Sequence, residues 1–143
     1  MKVNELRIGN LVEVYNPKYH KQVRDKTLIV VGIEGVKEKP IISLINADKK
    51  ENYCRPYLNQ DIKYIKPIPL TEEWLFKFGF NKGKHLTPQN YNNDIVRVYK
   101  WMTADVYIFS IFKYRTPDRL NINYVHQLQN LYFAITGKEL ELK

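Results

Sequence analysis

The chain has 143 residues, room for one domain or two very small ones, so large multidomain architectures are excluded. Lys and Arg total 23 against 15 Asp and Glu, a formal charge of +8, and 44% of residues are hydrophobic, which describes a basic chain able to bury a core. No window approaches the roughly 20 apolar residues of a membrane helix, and the opening Met1 to Arg7 lacks the apolar stretch of a secretory signal. The single cysteine, Cys54, can form no internal disulfide and has no CxxC partner. A cytoplasmic protein of a bacterial host cell, without cofactor, is the expectation.

Residues 1–66 read as a run of short strands. Leu11 to Tyr15 follow the turn signal Ile8-Gly9-Asn10, Thr27 to Val31 is β-branched and stops near Gly32, and Ile41 to Ile45 follows Pro40. Asp61 to Lys66 alternates polar and apolar residues as a last strand. Four or five strands at this spacing, with a long polar first loop from Asn16 to Lys26, predict a small SH3-like β-barrel.

Pro67 and Pro69 mark a boundary. Thr71 is placed as the N-cap of a helix, with Glu72 and Glu73 in its first turn and Gly79 at its end. Trp74, Leu75 and Phe78 give it an apolar edge. Residues 82–93 lack periodicity and read as a polar loop. Residues 95–99, 106–112 and 120–124 then predict a three-stranded antiparallel meander, and a last helix runs from about Tyr124 or Val125 to Thr136, capped by Gly137. The expected fold is therefore α+β: an SH3-like barrel subdomain over 1–66 and a helix, meander, helix subdomain over 67–143, packed together as one unit.

Almost no catalytic signature is present. The histidines at 20, 85 and 126 show no metal-ligand spacing, and Cys54 has only Arg55 beside it. Gly32 and Gly35 complete neither a dinucleotide loop nor a P-loop. Adjacent Glu72 and Glu73 diverge around a helix and cannot face one bond together. An enzyme would require His85 or His126 to meet Asp94, Asp105 or Cys54 in the fold. No catalytic residue, metal or small-molecule substrate is assigned.

The last helix carries no charged side chain. Tyr124, Val125, Leu128, Leu131, Tyr132 and Ile135 form an apolar stripe, and the opposite face is His126, Gln127, Gln129, Asn130 and Phe133. A solvated helix face normally holds Lys and Glu, so this face is suited to burial, against the rest of the fold, a second copy or a partner protein. It is the candidate protein interface.

The positive charge is spread: residues 1–66 hold 13 basic and 8 acidic groups (+5), residues 67–143 hold 10 and 7 (+3). Its densest run lies in the first loop. Tyr15, Tyr19, Tyr53 and Tyr57, with Tyr64, could stack on bases while Lys18, Lys21, Arg24, Lys26 and Arg55 contact phosphates, which makes nucleic-acid binding the alternative function. The competing account is a solvated loop with tyrosines completing a small core.

Three blocks, Asn4 to Val12, Ile68 to Phe80 and Val125 to Gly137, resemble a family of short uncharacterised proteins from gut bacteria and their phages. The resemblance brings no activity to any residue. It implies a phage or mobile-element accessory protein in which the blocks serve as scaffold or interface.

Overall fold

The computed structural model describes residues 1–18, 26–35, 40–47, 58–84, 89–93, 95–100, 107–111 and 120–143. They fall into two compact units, Met1–Ile68 and Pro69–Lys143.

The first unit opens with a 3₁₀ turn at Val3–Glu5 and continues through β1 (Leu11–Val14), β2 (Leu28–Glu34), β3 (Ile41–Asn46) and β4 (Leu58–Asp61). A second 3₁₀ turn, Ile62–Tyr64, leads into β5 (Ile65–Pro67). The expected turn before β1 is present: the Asn10 N–H donates to the Arg7 carbonyl, and the Arg7 N–H donates to Asn10 Oδ1 at 2.8 Å. The strands form one antiparallel sheet in the order β4-β3-β2-β1-β5. Val12 lies opposite Leu28, Val14 opposite Ile65 and Val30 opposite Leu44. These side chains are buried with Leu6 and Ile42, and Ile33, Ile62 and Tyr64 pack against them. A bulge between Val30 and Gly32 shifts the register, so Ile33 comes to lie opposite Ile42. Two inward residues three positions apart on one strand need such a change of phase.

The second unit holds α1 (Glu72–Lys77), β6 (Asn81–Lys82), β7 (Gln89–Asn92), β8 (Val96–Lys100), β9 (Tyr107–Ile111), β10 (Leu120–Ile122) and α2 (Val125–Thr136). Its sheet is also antiparallel, ordered β10-β9-β8-β7-β6. Tyr91, Val98 and Phe109 form one cross-strand row, with Tyr107 opposite Ile122, and all five are buried, as are Leu75, Phe78, Phe80, Val125 and Leu128. Thr71 caps α1 as expected, its Oγ1 accepting from the Trp74 N–H at 3.4 Å. α2 ends where Gly137 adopts φ 68° and its N–H donates to the Phe133 carbonyl, a left-handed cap that glycine takes without strain. Both helices start at one point: Pro69 bridges Tyr124, and the Leu70 N–H donates to the Asn123 carbonyl.

The expected architecture needs correction. The chain is mostly β, with two open five-stranded sheets and one helix longer than two turns among the described residues, and there is no closed barrel. Asp61 to Lys66 is not one strand. Asp61 accepts from the Lys63 N–H and starts a 3₁₀ turn, which carries β5 away from β4 and onto β1 at the far edge. Among the described residues no ladder joins β4 to β5, and a barrel cannot close without one. In the second unit the sheet has five strands rather than three, because β7 lies inside the expected polar loop 82–93 and β6 leads into it.

Candidate interaction surfaces

On α2 the five predicted interface residues do not share one environment. His126 is 1% exposed and Gln129 2%, while Gln127 and Asn130 are half-buried and Phe133 is 37% exposed. His126 and Phe133 are seven residues apart, two turns, and so lie on the same side of the helix. Leu128 and Ile135 are related in the same way, yet Leu128 is fully buried and Ile135 is 38% exposed. Burial therefore changes along the helix axis more than around it. The first two turns are enclosed and the last turn stands out, presenting Phe133, Ala134 and Ile135 to solvent. Ile135 thus departs from the expected core stripe, and His126 and Gln129 depart from the expected outer face. Gln127 has a local task, its Oε1 accepting from the N–H groups of Asn123 at 2.8 Å and Tyr124 at 3.2 Å at the helix start. The buried His126 ring stacks on Tyr124, with centroids 5.8 Å apart.

In the first unit, Tyr15 follows β1 and is 52% exposed. Its N–H donates to the Tyr64 carbonyl at 2.9 Å, which fixes the two tyrosines side by side at the β1–β5 edge. The Lys66 Nζ lies 4.1 Å from the Tyr15 ring centroid, and the Lys63 Nζ lies 4.9 Å from that of Tyr64. Below them, buried Asn16 donates from Nδ2 to Gln60 Oε1 at 2.6 Å and accepts from the Lys18 N–H at 3.0 Å, anchoring the root of the first loop. Lys18, Lys63 and Lys66 are exposed. A hydrogen bond to Asp61, 3.2 Å from Nζ, holds the Lys63 pKa above its ordinary value. Lys26 is half-buried just before β2. Tyr19, Lys21, Arg24, Tyr53, Arg55 and Tyr57 lie outside the described residues. Lys63 and Lys66 fall at the polar positions of the alternation over residues 61–66, and nothing else in the sequence singles them out.

The remaining polar chemistry is local. Lys82 Nζ lies 2.8 Å from Glu72 Oε1, and that hydrogen bond lowers the Glu72 pKa. Burial raises the pKa of the neighbouring Tyr91, whose hydroxyl donates to Gln89 Oε1 at 3.0 Å. A half-open cleft of about 330 Å³ is lined by Phe78, Asn93, Ile95, Tyr132 and residues 139–143. Among the described residues no group of three His, Cys, Asp or Glu side chains could hold a metal ion. The other members of the enzymatic alternative, His85, Asp94, Asp105 and Cys54, lie outside the described residues, as does His20. No helix among the described residues is long and apolar enough to cross a membrane.

No family model, curated protein or solved structure matches this chain.

Proposed function

We propose that the chain is a non-enzymatic binding protein whose outstanding end of α2 docks a partner protein. The observation that carries this reading is the last turn of α2. Phe133, Ala134 and Ile135 are exposed in succession on a helix with no charged side chain from Val125 to Thr136. Single exposed apolar residues are ordinary, but Phe133 and Ile135 lie on different sides of one uncharged turn and together give the tip of the helix an apolar rim of aromatic and branched aliphatic side chains, the kinds found at interface centres. Their anchoring is firm, since the preceding two turns of the same helix are largely buried. A helix held rigidly at its base presents its tip with little ordering cost on binding. The resemblance to short proteins of gut bacteria and their phages supports an accessory role in the cytoplasm of a bacterial cell.

The test is site-specific photo-crosslinking in bacterial cells from positions 133 and 135, with the exposed Glu73 as control position. The same discrete protein adduct from both positions, absent from position 73 and lost when Ile135→Asp is combined with the crosslinker at 133, is the expected result. Sedimentation of the purified chain separates a second copy from a different partner. Adducts no different from those at position 73, together with a monomer whose sedimentation is unchanged by Phe133→Asp, would refute the reading.

A further inference from the structure

We infer that the half-open cleft of the second unit binds a small neutral molecule, largely apolar and carrying a carbonyl or amide oxygen. Asn93 stands at the turn between β7 and β8, where its Oδ1 accepts from the N–H groups of Ile95 at 3.0 Å and Val96 at 2.8 Å. Only the oxygen of the amide can take two donors, so the side chain is held with Nδ2 directed away from the turn. Nδ2 has no hydrogen-bond partner among the described residues, and Asn93 lines the cleft. Two N–H donors are thus fixed beside it before any ligand arrives, and they can be satisfied only by an acceptor. Phe78, Ile95, Tyr132, Leu140 and Leu142 supply aromatic and aliphatic surface around them.

One wall of the cleft is the segment after α2, and it is held in place. The Lys138 N–H donates to Thr136 Oγ1 at 3.1 Å, Leu140 is buried, and the Lys143 N–H donates to the Lys77 carbonyl at 2.9 Å. The cleft is therefore preformed, and its volume of about 330 Å³ lies at the small end of ligand sites, which suits a single small molecule. Charge narrows the choice of occupant. Glu139, Glu141 and Lys143 bring two carboxylates and one ammonium to the same wall, so an anion finds no net attraction there. A cation gains nothing from the Asn93 donors. A neutral molecule whose oxygen accepts from Asn93 Nδ2, with its apolar body against the rings and aliphatic side chains, satisfies both conditions.

The test is an NMR titration of the whole ¹⁵N-labelled chain with three probes that share one apolar body: neutral N-acetyl-leucine amide, anionic N-acetyl-leucine and cationic leucine amide. Saturable shifts of the Asn93 side-chain NH₂ signals are expected with the neutral probe, at a Kd of about 2 mM or tighter for a ligand of about a dozen heavy atoms. Both charged probes are expected to bind more weakly. Asn93→Asp keeps an oxygen for the Ile95 and Val96 N–H groups but removes both donors, and it is expected to weaken the neutral probe about 2- to 13-fold, the range of one hydrogen bond. Shifts of the Ile95 and Tyr132 amides report binding in that variant. Ile95→Trp fills the cleft and is expected to abolish saturable binding. A thermal transition matching wild type verifies that each variant folds, and the comparison of the three probes on the unaltered chain needs neither variant. No saturation by about 20 mM neutral probe, a charged probe that binds as tightly, or binding that survives both substitutions unchanged would each overturn the inference.

Discussion

Gly83 sits directly after β6, and its N–H donates to the Asn90 carbonyl at 2.8 Å. A Cβ placed on Gly83 would overlap Asn90 Oδ1 and lie 2.5 Å from its Cγ, an approach no pair of unbonded atoms tolerates. Asn90 is buried and its Oδ1 accepts from Asn92 Nδ2 at 3.1 Å, so rotating it away breaks that bond. Overpacking costs about 1 to 3 kcal/mol and a lost buried hydrogen bond about 0.5 to 1.5 kcal/mol, so Gly83→Ala is expected to destabilise the chain by roughly 2 to 4 kcal/mol. With a urea m-value of about 2 kcal/mol/M, the midpoint falls by about 1 to 2 M. Truncating Asn90 to Ala removes the obstacle, so the double variant Gly83→Ala/Asn90→Ala should recover at least about 1 kcal/mol relative to the sum of the single variants. Gly137→Ala is the control, because nothing lies within 4 Å of its Cβ position and only the left-handed backbone, φ 68°, opposes the change. It should cost about 1 to 2 kcal/mol and show no coupling to Asn90. A neutral Gly83→Ala, or additive behaviour with Asn90→Ala, would refute the argument.

Glu72 is lowered in pKa by its hydrogen bond to Lys82, so folding gains from its ionised form above about pH 4.5 and loses that gain as the pH falls through the lowered folded-state value. The pair is partly exposed, which limits it to about 0.2 to 1 kcal/mol: Glu72→Gln should be less stable than wild type by that amount at pH 7 in low salt, and the difference should vanish in acid. Urea melts of both proteins from pH 7 to pH 3 check this, and a difference that grows toward acid would be the wrong sign. Leu128→Ala should cost about 2 to 5 kcal/mol and Phe133→Ser less than about 1 kcal/mol, because the first is fully buried and the second stands at the exposed end of the same helix. Thermal melts of the two variants decide it, and equal losses would mean that the last turn is packed after all.

Local chemistry made much of the fold readable. The Ile8-Gly9-Asn10 turn, the β-branched strand from Leu28, the Thr71 cap and the Gly137 cap each depend on residues close in sequence, and each forms as its residues require. What stayed hidden depends on distant partners. Gln89-Asn90-Tyr91-Asn92 has a single apolar residue and no visible period, and it becomes a strand because Tyr91 is buried opposite Val98. The bulge in β2 changes the phase of a strand midway, which a fixed period of two cannot express. Helical periodicity divides the last helix around its circumference, whereas its burial changes along its length. The contact of Tyr15 with Lys66 is half legible for the same reason: Tyr15 stands out at the end of the first strand, but Lys66 reaches it only through the pairing of β5 with β1.

The joint between Leu70 and Asn123 bears on how the second unit assembles. α1 has six residues, far below the length at which an isolated helix persists in water, so it depends on contacts made by others. Its start is held by the strand end that precedes α2, and the carbonyl of its last residue, Lys77, accepts from the N–H of Lys143. The element that comes first in chain order is thus stabilised by portions that follow it by some fifty residues or more. Closing contacts of that span slows folding, and it makes the unit all-or-none: amide protection in α1 should arise together with that of α2, not ahead of it.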